Sequence, residues 1–174
     1  MLAVVIVVAA LAVVGFVVGT RSRDSGAGGA SAAGSAAAGA GQRHEYVLQP
    51  AGRPAVRVSL EVAADESSRE KGLSRRREVP PGTGMVFLFP GDTVAAFWMK
   101  DTLVPLQIAF VAGDGRVVGL FEMPPCRADP CPTYAPDRPY RYAVEMAAGA
   151  FTAAGLTEGD RVTPSDPSSL PAAS

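Results

Sequence analysis

Two glutamates, Glu122 and Glu145, are the residues of this sequence best placed for acid–base chemistry: each has apolar neighbours on both sides within a run that reads as a strand. Carboxylates brought together across a sheet can divide general-acid and general-base roles, as glycoside hydrolysis requires. The plainer alternative is two solvent-facing charges on separate strands. A second run, Phe97, Trp98, Met99 and Lys100, suggests binding rather than catalysis. Extended backbone sends alternate side chains to opposite faces, so Phe97 and Met99 would share one face and Trp98 and Lys100 the other. With the first pair in the core, the second becomes an aromatic surface beside a cation, followed by Thr102, which suits an anionic or carbohydrate ligand. With Trp98 buried instead, Lys100 merely ends the strand in solvent.

Other chemistries are restricted by scarcity. The single histidine, His44, leaves a His-based triad or a His-rich metal site little to draw on. Met85, Met99, Met123 and Met146 sit in apolar runs, where thioethers are routine core fillers, which favours packing over a copper site. No metal and no cofactor is expected. Cys126 and Cys131 lie in the Pro-rich run MPPCRADPCPTYAP with four residues between them. In an oxidising compartment they would close a disulfide worth about 2 kcal/mol. The alternatives are a redox pair or a thiol metal site, although zinc would want two more ligands than the spacing supplies.

The elements that must position these residues occupy only part of the chain. Residues 2–19, LAVVIVVAALAVVGFVVG, carry no charge, and as a helix rising ~1.5 Å per residue they roughly span a ~30 Å hydrocarbon layer. Residues 1–20 are therefore expected to form a transmembrane or signal helix, and through it the chain would have the membrane as a partner. Residues 21–43 follow as a flexible Gly/Ala/Ser linker, and residues 165–174 as a disordered tail, because neither offers enough apolar bulk to offset its ordering entropy. Between them, residues 44–164 hold 13 Lys plus Arg against 15 Asp plus Glu, interspersed. Such a surface offers no basic field for a phosphate backbone, so nucleic acid is not an expected partner.

Within 44–164 the pattern favours short strands. Val56, Val58, Leu60 and Val62 alternate with Arg57, Ser59 and Glu61, suggesting a hairpin with residues 45–49 across Pro50 and Arg53. Asp65 is placed to cap a short helix through Lys71, with Gly72 at its end and Arg75, Arg76 and Arg77 beyond in a solvated loop. Apolar runs at 85–89, 95–99, 106–111 and 117–123 predict further strands, with Asp114 and Gly115 turning between the last two. Another strand at 140–147, a helical turn or two at 150–156 and a last strand at 161–163 complete the set. Many brief strands, Gly and Pro punctuation and one or two short helices predict a β-rich (α+β) domain, a small barrel or strongly curled sheet.

Six runs in this order and spacing carry a resemblance: REKGLSRR (69–76), GTGMVFLF (82–89), FWMKDTLVPL (97–106), GDGRVV (113–118), AVEMAAG (143–149) and EGDRV (158–162). From 58 to 162 the chain resembles the bacterial and archaeal family known as domain of unknown function 192. The resemblance implies a small barrel-like β fold with short helices, often in exported proteins, and no established activity. Two departures stand out: Ser74 where the family usually has Met, and Gln107 where it usually has Asp. An amide can neither take up a proton nor carry the charge, so catalysis through position 107 is not expected.

Arg21 and Arg23 follow the apolar segment while no Lys or Arg precedes it, and the positive-inside rule alone would leave the domain in the cytoplasm. The paired cysteines, the Gly/Ala/Ser linker and the exported habit of the resembling family favour the extracytoplasmic side. The reading that results is a domain at the cell membrane, single-pass or exported, that binds a ligand without catalysis around Trp98, Lys100 and Thr102. The rival is a hydrolase of cell-envelope polymer using Glu122 and Glu145, which requires both carboxylates in one cleft.

Overall fold

The computed structural model describes residues 42–174. The expected membrane helix (1–20) and all but the last two residues of the expected linker (21–43) lie outside the described residues. Among the described residues no helix is long and apolar enough to cross a membrane.

The chain opens with the antiparallel hairpin β1 (Arg43–Gln49) and β2 (Val56–Ala63), in register Tyr46 to Val58 and His44 to Leu60. Val58, Leu60 and Val62 are buried as their alternation predicts, while Val56 is left 37% exposed where β2 begins. Helix α1 (Glu66–Lys71) starts on a capping box: Asp65 accepts from the Ser68 amide at 2.9 Å and Ser68 Oγ accepts from the Asp65 amide at 3.2 Å. Gly72 ends it at φ 46°, a backbone angle that a side chain would strain. Beyond the helix, Arg76 does not dangle in solvent with its neighbours. Both its terminal nitrogens donate to Glu61, at 2.8 and 2.6 Å, and hold that carboxyl below the ordinary carboxylate range. The segment carrying α1 is a crossover, because β3 (Thr83–Thr93) lies parallel to β2.

After β4 (Phe97–Trp98) come β5 (Leu106–Val111), β6 (Val117–Met123), β7 (Thr133–Tyr134), β8 (Tyr140–Ala147), helix α2 (Ala150–Ala154) and β9 (Arg161–Pro164). Seven strands form one sheet in the order β6-β5-β8-β3-β2-β1-β9, and β4 pairs separately with β7. The sheet is strongly curled, a half-barrel rather than a closed barrel. Its two edges meet at one end, where Val117 donates to the Asp160 carbonyl at 2.8 Å and Val162 to the Gly115 carbonyl at 2.9 Å. The curl explains why every one of the seven strands contributes to a single core cluster, including Tyr46, Leu60, Val86, Ala109, Val117, Val144 and Val162, which Phe151 of α2 joins. The opposite face of the central strands carries a second cluster, with Phe87, Ile108, Phe110, Met99, Tyr140 and Leu73.

The tail, expected to be disordered, carries a 3-10 turn at Pro167–Ser169 capped by Asp166, whose carboxylate accepts from the Ser168 amide at 3.0 Å. Leu170 packs against the core cluster that the seven strands share. Composition understated this segment because one Leu and two backbone bonds, Ser165 to the Glu45 carbonyl and Ser174 to the Ala64 carbonyl, are enough to lay it along the sheet.

Candidate functional site

The two faces of β8 separate the two carboxylates. Residues paired directly across a sheet share a face, and Glu145 lies opposite Met85 on β3 and Ile108 on β5, while Glu122 lies opposite Gln107, which in turn faces Met146. Glu145 and Glu122 therefore stand on opposite faces. No single cleft can use both, and the two-carboxylate hydrolase loses its geometric premise.

Glu122 has a structural partner instead. Gln107 Nε2 donates to the Glu122 carboxylate and, at 2.9 Å, to Thr152 Oγ1, while its Oε1 accepts from the Phe151 amide at 2.8 Å. One amide side chain thus ties α2 to the sheet. A carboxylate at 107 could not donate and would face Glu122 as a like charge, so the departure at this position suits its neighbour.

Glu145 occupies the floor of a cavity of about 360 Å³ that opens between α1 and β4. Its side chain is 5% exposed and makes no hydrogen bond or ion pair among the described residues. Burial without a partner disfavours the charged form and pushes its pKa up to about 8. Room for the carboxyl comes from Ala143 and Ala147, which flank it on its own face. Gly84, opposite Met146 and so on the other face, sets the approach of β3 to β8: even a methyl group there would sit 2.1 Å from the Glu145 backbone carbonyl oxygen. The neighbouring strand can approach only because that side chain is missing.

The same cavity receives Trp98, Lys100 and Thr102. The alternation expected for this run holds: Met99 is 1% exposed, Trp98 is 57% exposed, and the Lys100 ammonium stands 5.6 Å above the indole ring. Phe97 turns inward, with edge-to-face contacts to Phe87 at 4.9 Å and Phe110 at 5.6 Å between ring centres. Thr102 is 8% exposed and its amide donates to the Met99 carbonyl at 3.2 Å, closing a turn at Asp101. Asp101 (φ 56°) and Arg75 (φ 61°) are both non-glycine residues in the left-handed region, which costs roughly 1 kcal/mol or more each. The Arg75 amide donates to the Asp101 carbonyl at 2.8 Å, so the two strained residues clip one side of the mouth to the other.

Sequence reasoning named Glu145 and the Trp98 group as rival sites, and the structure brings them into one. It missed Phe87, Phe89 and Arg69. The Arg69 guanidinium lies 5.2 Å over the Phe89 ring and donates to the carbonyls of Ala64, Leu88 and Ser174, so it builds the wall. A signal for Glu145 was present: it stands in a buried strand, with alanines at both neighbouring positions on its face.

Cys126 and Cys131 are bonded to each other, with Cα atoms 5.5 Å apart. The bridge closes the loop just before β7, whose Thr133 and Tyr134 pair with Trp98 and Phe97. Replacing both cysteines with Ser should leave the seven-stranded sheet folded and loosen residues 126–137, because so short a loop contributes only about 2 kcal/mol by its closure. Hydrogen exchange checks this. Accelerated exchange throughout the sheet, rather than in that loop, would contradict it.

The family DUF192, described as "Uncharacterized ACR", matches residues 46–164. No curated protein matches. Among solved structures, a proposed transcription regulator from Sinorhizobium meliloti 1021 is 30% identical, with a TM-score of 0.67, covering 72% of this chain and 95% of its own. A protein of unknown function from Novosphingobium aromaticivorans DSM 12444 is 27% identical, with a TM-score of 0.57, covering 69% and 84%.

Proposed function

We propose, from the premise that this chain belongs to the DUF192 family of uncharacterised proteins, that its domain is a non-catalytic module holding a small ligand in the cavity between α1 and β4. Trp98 offers the ligand a flat apolar face, Lys100 a cation beside it, and Thr102 a hydroxyl without a partner among the described residues. The observation that carries this reading is the exposure of Trp98. An indole left 57% in water at the edge of a cavity of this size, within the ~300–1,000 Å³ usual for ligand pockets, favours a binding role over a structural one. The strained clip between Arg75 and Asp101 points the same way, since such strain concentrates at functional sites. Transcription regulation, the role named for the Sinorhizobium protein, draws no support through direct DNA binding from a domain with slightly more acidic than basic residues.

The domain is placed on the extracytoplasmic side of the cell membrane and tethered through residues 1–20. The bonded cysteines support the compartment and the apolar segment supports the tether. Alkaline phosphatase fused after Pro164 should be active in cells; an inactive fusion of normal abundance would refute the placement.

Ligand binding is tested by thermal shift on the full chain in detergent, with panels of sugars and small anions. A ligand at about 100 times its Kd stabilises by about 2.7 kcal/mol, a shift of several degrees. The shift should vanish in Trp98→Ala and shrink in Lys100→Ala. Panels that shift nothing, or a shift that survives in both variants, would end this reading.

A further inference from the structure

We propose that the floor of this cavity selects a protonated amine, with the Glu145 carboxyl as its counter-ion and the rings of Phe87, Phe97 and Trp98 as its walls; this rests on the ligand-binding reading above and names the ligand's chemistry. The unpartnered carboxyl is the first ground. Glu145 is 95% buried, lines the cavity, and meets no N–H, hydroxyl or cation among the described residues. A buried polar group is costly unless something completes it, and an ammonium completes a carboxyl best, in charge and in hydrogen bonds. Because burial alone keeps this acid protonated, an ammonium placed beside it would draw it back to the carboxylate.

The aromatic walls are the second ground. Ring faces attract cations, and two of the four rings around this cavity already carry one: Arg69 over Phe89 and Lys100 over Trp98. Phe87 and Phe97 line the deeper part of the same space without one. A simple anion would have to enter past Glu66 and Glu70 at the mouth and would find at Glu145 only a single O–H, where an ammonium finds a counter-charge as well. Lys71 and Lys100 at the rim remain free to meet an acidic or hydroxyl group elsewhere on the ligand, which keeps the anionic contact of the preceding section at the mouth.

Three probes of one shape test this on the full chain in detergent: benzylamine, benzyl alcohol and benzoate, titrated against the fluorescence of Trp98, the only tryptophan in the sequence. Benzylamine should bind roughly tenfold or more tighter than benzyl alcohol. Glu145→Gln should erase that difference, chiefly by weakening benzylamine. Benzoate binding more tightly than benzylamine would overturn the amine assignment and leave the ligand-binding reading standing. Equal affinity of wild type for amine and alcohol, or an amine preference that persists in Glu145→Gln, would overturn it as well. If no probe binds, the amine assignment falls, and the sugar and anion panels decide the wider reading separately.

Discussion

Glu145→Gln should make the chain more stable at pH 8 and flatten its loss of stability between about pH 5 and 8. The carboxyl has an ordinary pKa of 4.5 in the unfolded chain and about 8 in the folded one. Between those values the folded state holds a proton that the unfolded state has released, so stability falls as pH rises, by up to ~1.4 kcal/mol per unit. The contribution is complete below 4.5 and gone once pH passes 8, a total of a few kcal/mol. Gln keeps the shape and cannot ionise, so its profile should lack this slope. The carboxyls whose pKa is lowered on folding, such as Glu61 beside Arg76, act in the opposite sense and below 4.5, outside this window. The other charged groups lining the cavity, Glu66, Arg69, Glu70, Lys71 and Lys100, are retained in the variant and cancel in the comparison. Urea midpoints for both proteins across pH 5 to 8 give the result. Parallel profiles would show that Glu145 titrates in the fold as it does in water.

The second large effect separates two adjacent residues. Met99→Ala should cost about 2–5 kcal/mol and Phe97→Ala about 2–4, through lost burial and the cavity each leaves, enough to unfold a marginal domain. Phe97 is only partly buried, but its ring is held by Phe87, Phe89 and Phe110. Trp98→Ala, one residue along, removes a larger side chain and should cost under ~1 kcal/mol, because more than half of the indole is already in water. Thermal midpoints of the three variants decide the matter without knowledge of any ligand. A Trp98→Ala midpoint as low as that of Met99→Ala would mean that the indole supports the fold, and the platform would be lost with it.

What could be read from the sequence is what depends on neighbours in the chain. The cap at Asp65 is a local bond pattern, and the helix ends at Gly72 as read. The strands at 106–111 and 140–147 follow from unbroken apolar or alternating runs. The split of Phe97 and Met99 from Trp98 and Lys100 needs only the period of extended backbone. The bonded pair of Cys126 and Cys131 needs only their spacing and a compartment. Strand β7 was missed, because two residues in a Pro-rich loop become a strand only by meeting Phe97 and Trp98. The sequence places Arg76 in a solvated loop, since its partner Glu61 lies on a strand 15 residues earlier. The site itself was half legible. Its residues were named, but their union under one roof depends on the order of strands in the sheet, which puts β8 between β3 and β5.

That order bears on how the chain comes to be folded. β8 lies inside the sheet, between β5 and β3, yet it is among the last parts of the domain to be made, and both of its neighbours wait for it. Until residues 140–147 arrive, β3 and β5 each present a bare row of amides and carbonyls beside apolar side chains, open to pairing with any other extended chain. Only pairings between distant parts of the sequence close the sheet, and such topologies fold slowly. A chain delivered vectorially, first residue first, therefore passes through a stage in which an adhesive surface is the unfinished floor of the cavity between α1 and β4.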